Sequence, residues 1–276
     1  MTIRVMSLGD LRTVLGWAKE EGWNPGLDDA EAMLAADPQG FLIKVVEGEP
    51  VAAISVVNHD PSFAFLGLYL CKPQFRGQGH GLDVWRAGIA HAGTRSIGLD
   101  GVPEQQQNYA KSGFVKYGST IRYEGRINAA SNARVRRASG DEIETLIAWD
   151  AKACGMDRAT FAAAWFSQSP NRQTMVSTDG GKITGFATFR RCVSGTKIGP
   201  LYATSQADAQ FLLASNPFAR GDEPVYVDLQ EQSSPLCGLL QEHSFEPVFD
   251  TARMFNGAPP EASPTLFHAI ATMELG

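Results

Sequence analysis

The stretch that decides the fold is Gln74-Phe75-Arg76-Gly77-Gln78-Gly79-His80-Gly81. It follows the apolar run Phe63–Cys71, which is typical of a strand and ends at Lys72-Pro73, because proline cannot continue a β ladder. It leads into Gly81–Ala92, where apolar residues recur at helical spacing. A strand, a glycine-rich turn and a helix N-terminus together make an anion site, because the first helical N–H groups lack internal partners.

The glycines suit this turn to a phosphate, because they let the backbone approach closely and adopt positive φ angles. Arg76 adds a positive charge, and Lys72 stands just before the turn. Glycines alone are weak evidence, since such a turn can simply join a strand to a helix. A P-loop would need Gly-Lys-Ser/Thr at its end, and a Rossmann fingerprint would need a parallel βαβ unit. The sequence around the turn has neither pattern.

The elements predicted outward from this turn give an α/β layout, with helices flanking a mixed, mostly antiparallel sheet. The predicted helices are 8–21, 30–36, 81–92, 104–111, 140–153, 207–215 and 235–243. The predicted strands are 2–6, 41–46, 51–57, 63–71, 97–99, 114–123, 174–177, 184–190, 197–203, 225–229 and 245–249. We therefore predict a first domain over residues 1–126, a polar linker over 127–138 and a second domain over 139–276.

The second domain is expected to repeat the first, because local sequences echo each other. Gly67-Leu68-Tyr69 is followed by Gly113-Phe114, and Gly199-Pro200-Leu201-Tyr202 is followed at nearly the same distance by Ser244-Phe245. These echoes favour two copies of one fold. The alternative is a single large sheet in which the echo arises by chance.

Composition excludes several classes of function. A chain of 276 residues exceeds a typical single domain. The formal charge of −6, with no Lys/Arg-rich run, gives no reason to expect nucleic acid as a partner. The sequence contains no apolar stretch long enough to span a bilayer and no secretory signal pattern, so we expect a cytoplasmic protein with no membrane partner.

The cysteines and histidines are scattered along the chain. The four cysteines, Cys71, Cys154, Cys192 and Cys237, include no C-x-x-C pair, which favours free thiols over disulfides. The five histidines show no ligand spacing either. We therefore predict no metal site.

The turn and a later segment resemble one enzyme family. Gln74-x-x-Gly77-x-Gly79 resembles the Q/R-x-x-G-x-G/A pyrophosphate signature of GNAT acetyltransferases, and Tyr109-Ala110-Lys111-Ser112-Gly113-Phe114 resembles their Y-x-x-x-G-F segment. More narrowly, the chain is similar to a bacterial tandem-GNAT subfamily. That subfamily combines a loop like Gly22–Gly26, a stretch like Gly98–Val102 and a divergent C-terminal GNAT-like domain.

The resemblance implies acetyl-CoA as co-substrate, bound in a V-shaped gap between the strands Phe63–Cys71 and Ile97–Asp100. Backbone groups before the turn would bind the pantetheine arm, and those of the turn would bind the pyrophosphate. A backbone N–H of Leu70 or Cys71 would stabilise the oxyanion. The residues assigned to acetyl-CoA are Tyr69, Leu70, Cys71, Gln74, Phe75, Arg76, Gly77, Gln78, Gly79, His80 and Gly81.

The same resemblance implies the catalytic groups. Tyr109 matches the tyrosine acid of the family, although a buried or rim tyrosine is the structural alternative. Asp100 and Glu21 are the candidate general bases, against the alternative that they are caps or solvated charges. Val102 stands where many members have asparagine, which leaves one polar contact unassigned.

The acceptor side is assigned to Glu21, Trp23 and Asn24, which would border the amine. Trp23 is either a wall of that pocket or an anchor that packs its loop. An acyl-cysteine route through Cys71 is the disfavoured alternative, because a lone cysteine at a strand end is more often a buried apolar residue.

The second domain is predicted to be a degenerate copy without an acetyl-CoA site. Its matching turn, Thr204-Ser205-Gln206-Ala207-Asp208, has no glycine and no basic residue, and Asp208 would repel a phosphate. Leu240 stands at the position equivalent to Tyr109.

These features predict an acetyl-CoA-dependent N-acetyltransferase that acts directly on a primary amine of a small molecule. The alternatives are a non-catalytic acyl-CoA-binding sensor, motivated by Val102 and the unassigned base, and a protein N-acetyltransferase. The oligomeric state is left open, with a homodimer as one candidate.

Overall fold

The computed structural model of the chain describes residues 2–230 and 235–276. The strands in that part are β1 Thr2–Val5, β2 Phe41–Val46, β3 Glu49–Asn58, β4 Phe63–Cys71, β5 Ser96–Gly101, β6 Val115–Gly125, β7 Val135–Arg137, β8 Arg172–Asp179, β9 Lys182–Arg191, β10 Thr196–Ala203, β11 Val225–Gln230, β12 Glu246–Asn256 and β13 Phe267–Ala269. The α-helices are α1 Leu8–Glu20, α2 Asp29–Ala36, α3 His80–Ala92, α4 Gln106–Lys111, α5 Ile143–Cys154, α6 Ala159–Phe166, α7 Gln206–Ala214 and α8 Pro235–Glu242. Most predicted bounds are confirmed to within a few residues, but β12 continues to Asn256 instead of ending at Phe249.

Two elements that sequence patterns did not predict, β7 and α6, complete a repeat. With them, the order β1 α1 α2 β2 β3 β4 α3 β5 α4 β6 is matched element for element by β7 α5 α6 β8 β9 β10 α7 β11 α8 β12. We call these the first and the second copy. β7 has only three residues and lies within the 127–138 segment. α6 is apolar almost all round, so it has no helical period to detect.

The strands of both copies join one continuous sheet. Its order is β1-β2-β3-β4-β5-β12-β6-β11-β10-β9-β8-β7, with β13 paired to β10 off this path. The final strands of the two copies have exchanged places, because β12 pairs with β5 while β6 pairs with β11. Among the described strands only β4–β5 and β10–β11 pair in parallel, so the mostly antiparallel sheet is confirmed. The sequence left two alternatives, two copies of one fold or a single large sheet, and the structure contains both the repeat and the single sheet.

The two parallel pairs diverge part-way along. β4 and β5 are paired from Phe63↔Ser96 to Leu66↔Leu99, and β4 then departs through a bulge at which Leu68 has a φ of 44°. β10 and β11 are paired only from Thr196 to Ile198 on the β10 side. Each copy therefore has a V-shaped gap at the carboxyl end of its parallel pair.

The helices pack on both faces of the sheet. α1, α2, α5 and α6 share one apolar core on one face, so this core belongs to both copies at once. Leu11 and Val14 of α1 are completely buried there, and burial of each such side chain contributes about 1.5–3 kcal/mol. α3 and α4 cover the other face of the first copy, and α7 and α8 that of the second. No helix within residues 2–230 and 235–276 has the length and apolarity to cross a bilayer.

Candidate active site

The glycine-rich turn between β4 and α3 leaves backbone groups open. Gly77 and Gly79 have φ angles of 76° and 83°, a left-handed conformation that favours glycine. A Cβ on either residue would meet no heavy atom within 4 Å, so the space beside the turn is free. Gly79 is the N-cap of α3, which begins at His80. The free N–H groups and the helix dipole at this point suit an anion.

Arg76 reaches across the mouth of this turn. Its Nε donates to the carbonyl of Cys71 at 3.0 Å, and its guanidinium pairs with Glu21 at 2.5 Å. Both side chains are substantially exposed, and an ion pair of that kind contributes only about 0–1 kcal/mol. Because this ion pair is weak, the guanidinium of Arg76 can leave Glu21 and pair with an incoming anion instead. Glu21, assigned to the acceptor side, lies instead beside the glycine-rich turn.

Four residues assigned to the cofactor contact one another within the turn. The Gln78 amide donates to the carbonyl of Gln74 at 2.9 Å. His80 is buried, stands edge-on to the ring of Phe75 and has an Nδ1 with no hydrogen-bond partner in the described part of the chain.

A cleft of about 450 Å³ runs from this turn along the edge of β4. Its lining residues are Glu21, Trp23, Tyr69, Leu70, Cys71, Phe75, Arg76, Gly77, Gly79, Gly81, Leu82, Val102, Glu104 and Gln105. The structure thus brings eight of the eleven residues assigned to acetyl-CoA to one surface. Gln74, Gln78 and His80 are not among those that line it.

Tyr109 lies on α4 and lines a second, smaller cavity described below. Its ring stacks on Trp85, with centroids 5.6 Å apart and planes at 20°, and it also contacts Phe114. Burial raises the pKa of the Tyr109 phenol well above its usual range, and the neighbouring Tyr69 adds to the shift. The phenol is therefore protonated at neutral pH, as a general acid must be.

A smaller cavity of about 60 Å³ adjoins the cleft. Its lining residues are Trp23, Leu66, Gly67, Leu68, Tyr69, Leu99, Asp100, Val102, Gln105, Tyr109, Arg122, Phe249, Thr251, Met273 and Glu274. Trp23, Tyr69, Val102 and Gln105 line both spaces, so the two meet at these side chains. We call this space the inner cavity. Phe249, Thr251, Met273 and Glu274 reach it from the second copy or the segment after it.

The loop that carries Trp23 is held by β6 and by residues of the second copy. The Trp23 carbonyl accepts from Lys197 Nζ at 2.9 Å and from Arg122 at 3.0 Å. Asn24, assigned to the acceptor, exchanges two hydrogen bonds of 2.9 Å with the backbone of Ser194. The Asn24 amide therefore holds two loops together, while the Trp23 side chain lines the inner cavity.

Asp100 lies on β5 with its side chain completely buried. Its carboxylate accepts from Thr120 Oγ1 at 2.7 Å and from Arg253 Nε and a terminal guanidinium nitrogen at 2.9 and 2.7 Å. Three hydrogen-bond donors therefore engage this carboxylate. Arg253 reaches it because the exchanged strand β12 pairs Arg253 directly with Asp100.

The thiols and potential metal ligands offer little further chemistry. Burial raises the pKa of the Cys71 thiol, which leaves little thiolate for an acyl-cysteine route. All four cysteines are free. Over residues 2–230 and 235–276, no three His, Cys, Asp or Glu side chains are grouped as metal ligands.

Comparisons of the sequence with known proteins point to one enzyme family. A sequence profile described as the acetyltransferase (GNAT) family matches residues 8–114, and one described as an acetyltransferase (GNAT) domain matches residues 146–268. The holothin acyltransferase of Pseudoalteromonas sp. (strain SANK 73390) is 36% identical over 279 residues, covering 100% of this chain and 94% of that protein. The chain belongs to the GNAT acetyltransferase family. It is an acyl- or acetyltransferase with two GNAT domains in tandem.

Solved structures share the fold of this tandem GNAT chain. A candidate acetyltransferase from Pyrococcus horikoshii superposes with a TM-score of 0.82 at 22% identity, over 100% of this chain and 95% of that one. A tandem GNAT protein from the clavulanic acid biosynthesis pathway superposes with a TM-score of 0.60 at 15% identity, over 95% and 99%. At these identities the likeness establishes the fold alone.

The second GNAT copy differs from the first at both parts of the site. At its turn, Asp208 accepts hydrogen bonds from Ser177, Ser205, Thr184 and Arg134, so a carboxylate occupies the start of α7. In its V-shaped gap, β13 pairs with β10 from Leu201 to Ala203, and the N–H of Ile270 donates to the carbonyl of Asp228 at 3.1 Å.

Sequence reasoning missed three residues around the inner cavity: Arg122, Lys197 and Glu274. None belongs to a motif, and each is brought to the cavity by the sheet or by the segment after β13. The similarity between the two copies in sequence does not show which of their strands exchange places in the sheet. No local signal in the sequence could therefore have identified them.

Proposed function

We propose that this chain transfers the acetyl group of acetyl-CoA to a primary amine of a small molecule. The catalytic unit is the first predicted domain, residues 1–126, and the second predicted domain, residues 139–276, covers it. The predicted linker, 127–138, contains β7, the first strand of the second copy. The observation that carries this proposal is the continuity of the two spaces. The cleft beside the glycine turn meets the inner cavity at Tyr69, Val102 and Gln105, next to Tyr109.

The residues of the turn fit the cofactor. Gly77 and Gly79 leave open space where a pyrophosphate needs it, and the N-terminus of α3 supplies free donors. Arg76 would exchange Glu21 for a phosphate oxygen. Beyond Leu66, β4 is no longer paired with β5, so the backbone of Tyr69, Leu70 and Cys71 would bind the pantetheine arm as an added strand does. Bound there, acetyl-CoA supplies an activated thioester.

The residues around the inner cavity then have defined tasks. A backbone N–H of Leu70 or Cys71 is our candidate for stabilising the oxyanion. Tyr109 holds its proton because burial raises the pKa of the phenol, and it would deliver that proton to the leaving sulfur. Trp23 walls the cavity, held by Lys197 and Arg122.

The second copy would bind no acetyl-CoA. Its gap is occupied by the protein's own strand β13, where the first copy would take up pantetheine, and Asp208 places a negative charge at the start of α7. We therefore expect one acetyl-CoA site per chain.

A small-molecule acceptor is favoured over a protein segment, because the second copy roofs the cavity with Phe249, Thr251 and Met273. Holothin is a first acceptor to test, since the 36% identical relative is named for it. Acetyl-CoA is incubated with holothin and with a panel of primary amines, and both the N-acetyl product and free CoA are measured. We expect equal amounts of the two. Acetyl-CoA binding without transfer to any amine would instead support the sensor.

A further inference from the structure

The segment after β13 enters the active site of the first copy. It crosses β4 at Gly67, where a Cβ would lie 2.2 Å from the carbonyl oxygen of Glu274. Gly67 directly follows Leu66, the last residue of β4 that pairs with β5. Only glycine admits the segment at this contact, so Glu274 is placed where the two strands diverge.

The segment is held by two contacts directly after this crossing. The His59 ring Nε2 lies 2.8 Å from the carbonyl oxygen of Leu275, and Arg158 donates to the carbonyl of Gly276. Arg158 is itself fixed by Asp150 through two hydrogen bonds of 2.7 and 2.9 Å. The position of Glu274 is therefore set by the fold.

The carboxylate of Glu274 is buried without a direct counter-ion. The residue is 8% exposed and lines the inner cavity together with Tyr109. Thr272 Oγ1 donates to Oε2, whereas Oε1 has no hydrogen-bond partner within the described residues. A buried carboxylate is unfavourable unless a cation or N–H donors approach it.

The cations near Glu274 are engaged elsewhere. Arg122 forms two hydrogen bonds to Asp228, at 2.7 and 2.8 Å, and Arg190 pairs with Asp29 at 2.5 Å. Lys197 Nζ is bound to the Trp23 carbonyl. These groups act on Glu274 only through their more distant charges. Glu274, a lining residue of the inner cavity, therefore carries one carboxylate oxygen without a hydrogen bond to the described chain.

We infer that Glu274 binds the ammonium group of the acceptor in the inner cavity and takes its proton. The inference rests on the proposed function and names its acceptor as a cationic amine. The two acids suggested by the sequence are less suited: three donors engage Asp100, and Glu21 pairs with Arg76 at the phosphate turn.

The reaction balances with this assignment. One ammonium proton passes to Glu274, and from there to solvent. The neutral amine nitrogen forms a bond to the acetyl carbon, and the carbon–sulfur bond breaks with its electron pair on sulfur. Tyr109 protonates that sulfur, and one of the two protons left on the attacking nitrogen restores the phenol, while the other stays in the amide. The products are the amide, CoA thiol and one proton.

The test measures how tightly the CoA-loaded protein binds ammonium ions and neutral alcohols of the same shape. Methylammonium, butylammonium, benzylammonium and phenethylammonium are titrated into the CoA-loaded protein, each against its alcohol. We expect the wild type to prefer the best-bound ammonium ion over its alcohol at least tenfold. Glu274→Gln should lose that preference, since it keeps an acceptor for Thr272 but not the charge. Glu246→Gln, at an exposed position of β12, is the matched control.

Turnover of the same amines gives the second readout. Glu274→Gln should lower kcat/KM by about 100-fold or more, the usual contribution of a general base, with the acetyl-CoA Kd unchanged. If Glu274→Gln does not fold, Glu274→Asp should keep the ammonium preference and lose turnover. The inference is overturned if no ammonium ion is preferred by the wild type, or if Glu274→Gln retains preference and rate. Failure of the wild type to bind acetyl-CoA would instead contradict the proposed function.

Discussion

Lys197 donates a hydrogen bond of 2.9 Å to the carbonyl oxygen of Trp23, across 174 positions of the sequence. Lys197 lies on β10 of the second copy, and Trp23 follows α1 of the first. Burial lowers the pKa of Lys197, and the charge of Arg122 adds to this effect. The second copy thus fixes a wall of the inner cavity directly, in addition to covering it.

Replacing Lys197 should therefore affect the acceptor more than the cofactor. We expect Lys197→Met to raise the KM for the amine about tenfold. A hydrogen bond from a charged donor contributes roughly 1.5–3 kcal/mol, and a factor of ten corresponds to about 1.4 kcal/mol. The acetyl-CoA Kd from calorimetry should be unchanged. Lys182→Met, exposed on β9, serves as control. A normal amine KM in Lys197→Met would show that the wall needs no support from the second copy.

Tyr109→Phe should separate catalysis from binding. The phenol makes no hydrogen bond that stabilises the described fold, so its removal should preserve the stack on Trp85. We expect kcat to fall by about 10²–10³, within the range of a general acid, and the acetyl-CoA Kd to stay constant. Tyr117→Phe is the control, because the Tyr117 side chain is exposed. An unchanged kcat of Tyr109→Phe in steady-state assays would show that Tyr109 is not the general acid.

Acidification should loosen the segment that carries Glu274. Burial, with the charge of Arg158 second, lowers the pKa of His59 to about 4. The unfolded chain, with an ordinary histidine pKa near 6.5, therefore binds the proton more readily than the folded one. The contribution of neutral His59 to the free energy of unfolding is complete above about pH 6.5 and is lost as the pH falls towards 4. It amounts to about 3 kcal/mol at most, because the ring keeps some contact with solvent.

Urea unfolding at several pH values measures this effect. His59→Gln keeps a donor for the Leu275 carbonyl, so its free energy of unfolding should vary less between pH 4 and 6.5 than that of the wild type. His243→Gln, at an exposed position, should behave as the wild type does. Equal pH dependence in His59→Gln and the wild type would contradict the assignment.

The part of the site that the sequence could predict is local. Gln74–Gly81, the strand before it and the helix after it are consecutive, so the spacing of Gly77 and Gly79 was enough to locate the turn. Tyr109 was assigned from the resemblance of its spacing before Gly113-Phe114 to the family segment, and its catalytic role stays a prediction. In each case one short segment contains all the geometry that the prediction needs.

The remaining features depend on pairings between distant strands. Asp100 was a candidate base because it ends the strand beside the predicted acetyl site. Nothing near it in the sequence showed that Arg253, 153 positions away, would lie opposite it. The exchange of β6 and β12 creates that pairing, and both are eleven-residue strands that could fill either place. Glu274 depends on the path of the segment after β13, which no periodicity encodes.

The measurement that tests the central claim most directly is calorimetric titration of acetyl-CoA into the wild type, Gly77→Asp, Gly79→Asp and Gly48→Asp. Gly48 has a φ of 85° and open space beside it, like the other two, but lies in the turn between β2 and β3. It therefore controls for backbone strain and added charge. We predict one site per chain in the wild type and Gly48→Asp, and at least a hundredfold weaker binding in Gly77→Asp and Gly79→Asp. No binding by the wild type, or undiminished binding by Gly77→Asp and Gly79→Asp, would contradict the claim, and two sites per chain would show that the second copy binds acetyl-CoA as well.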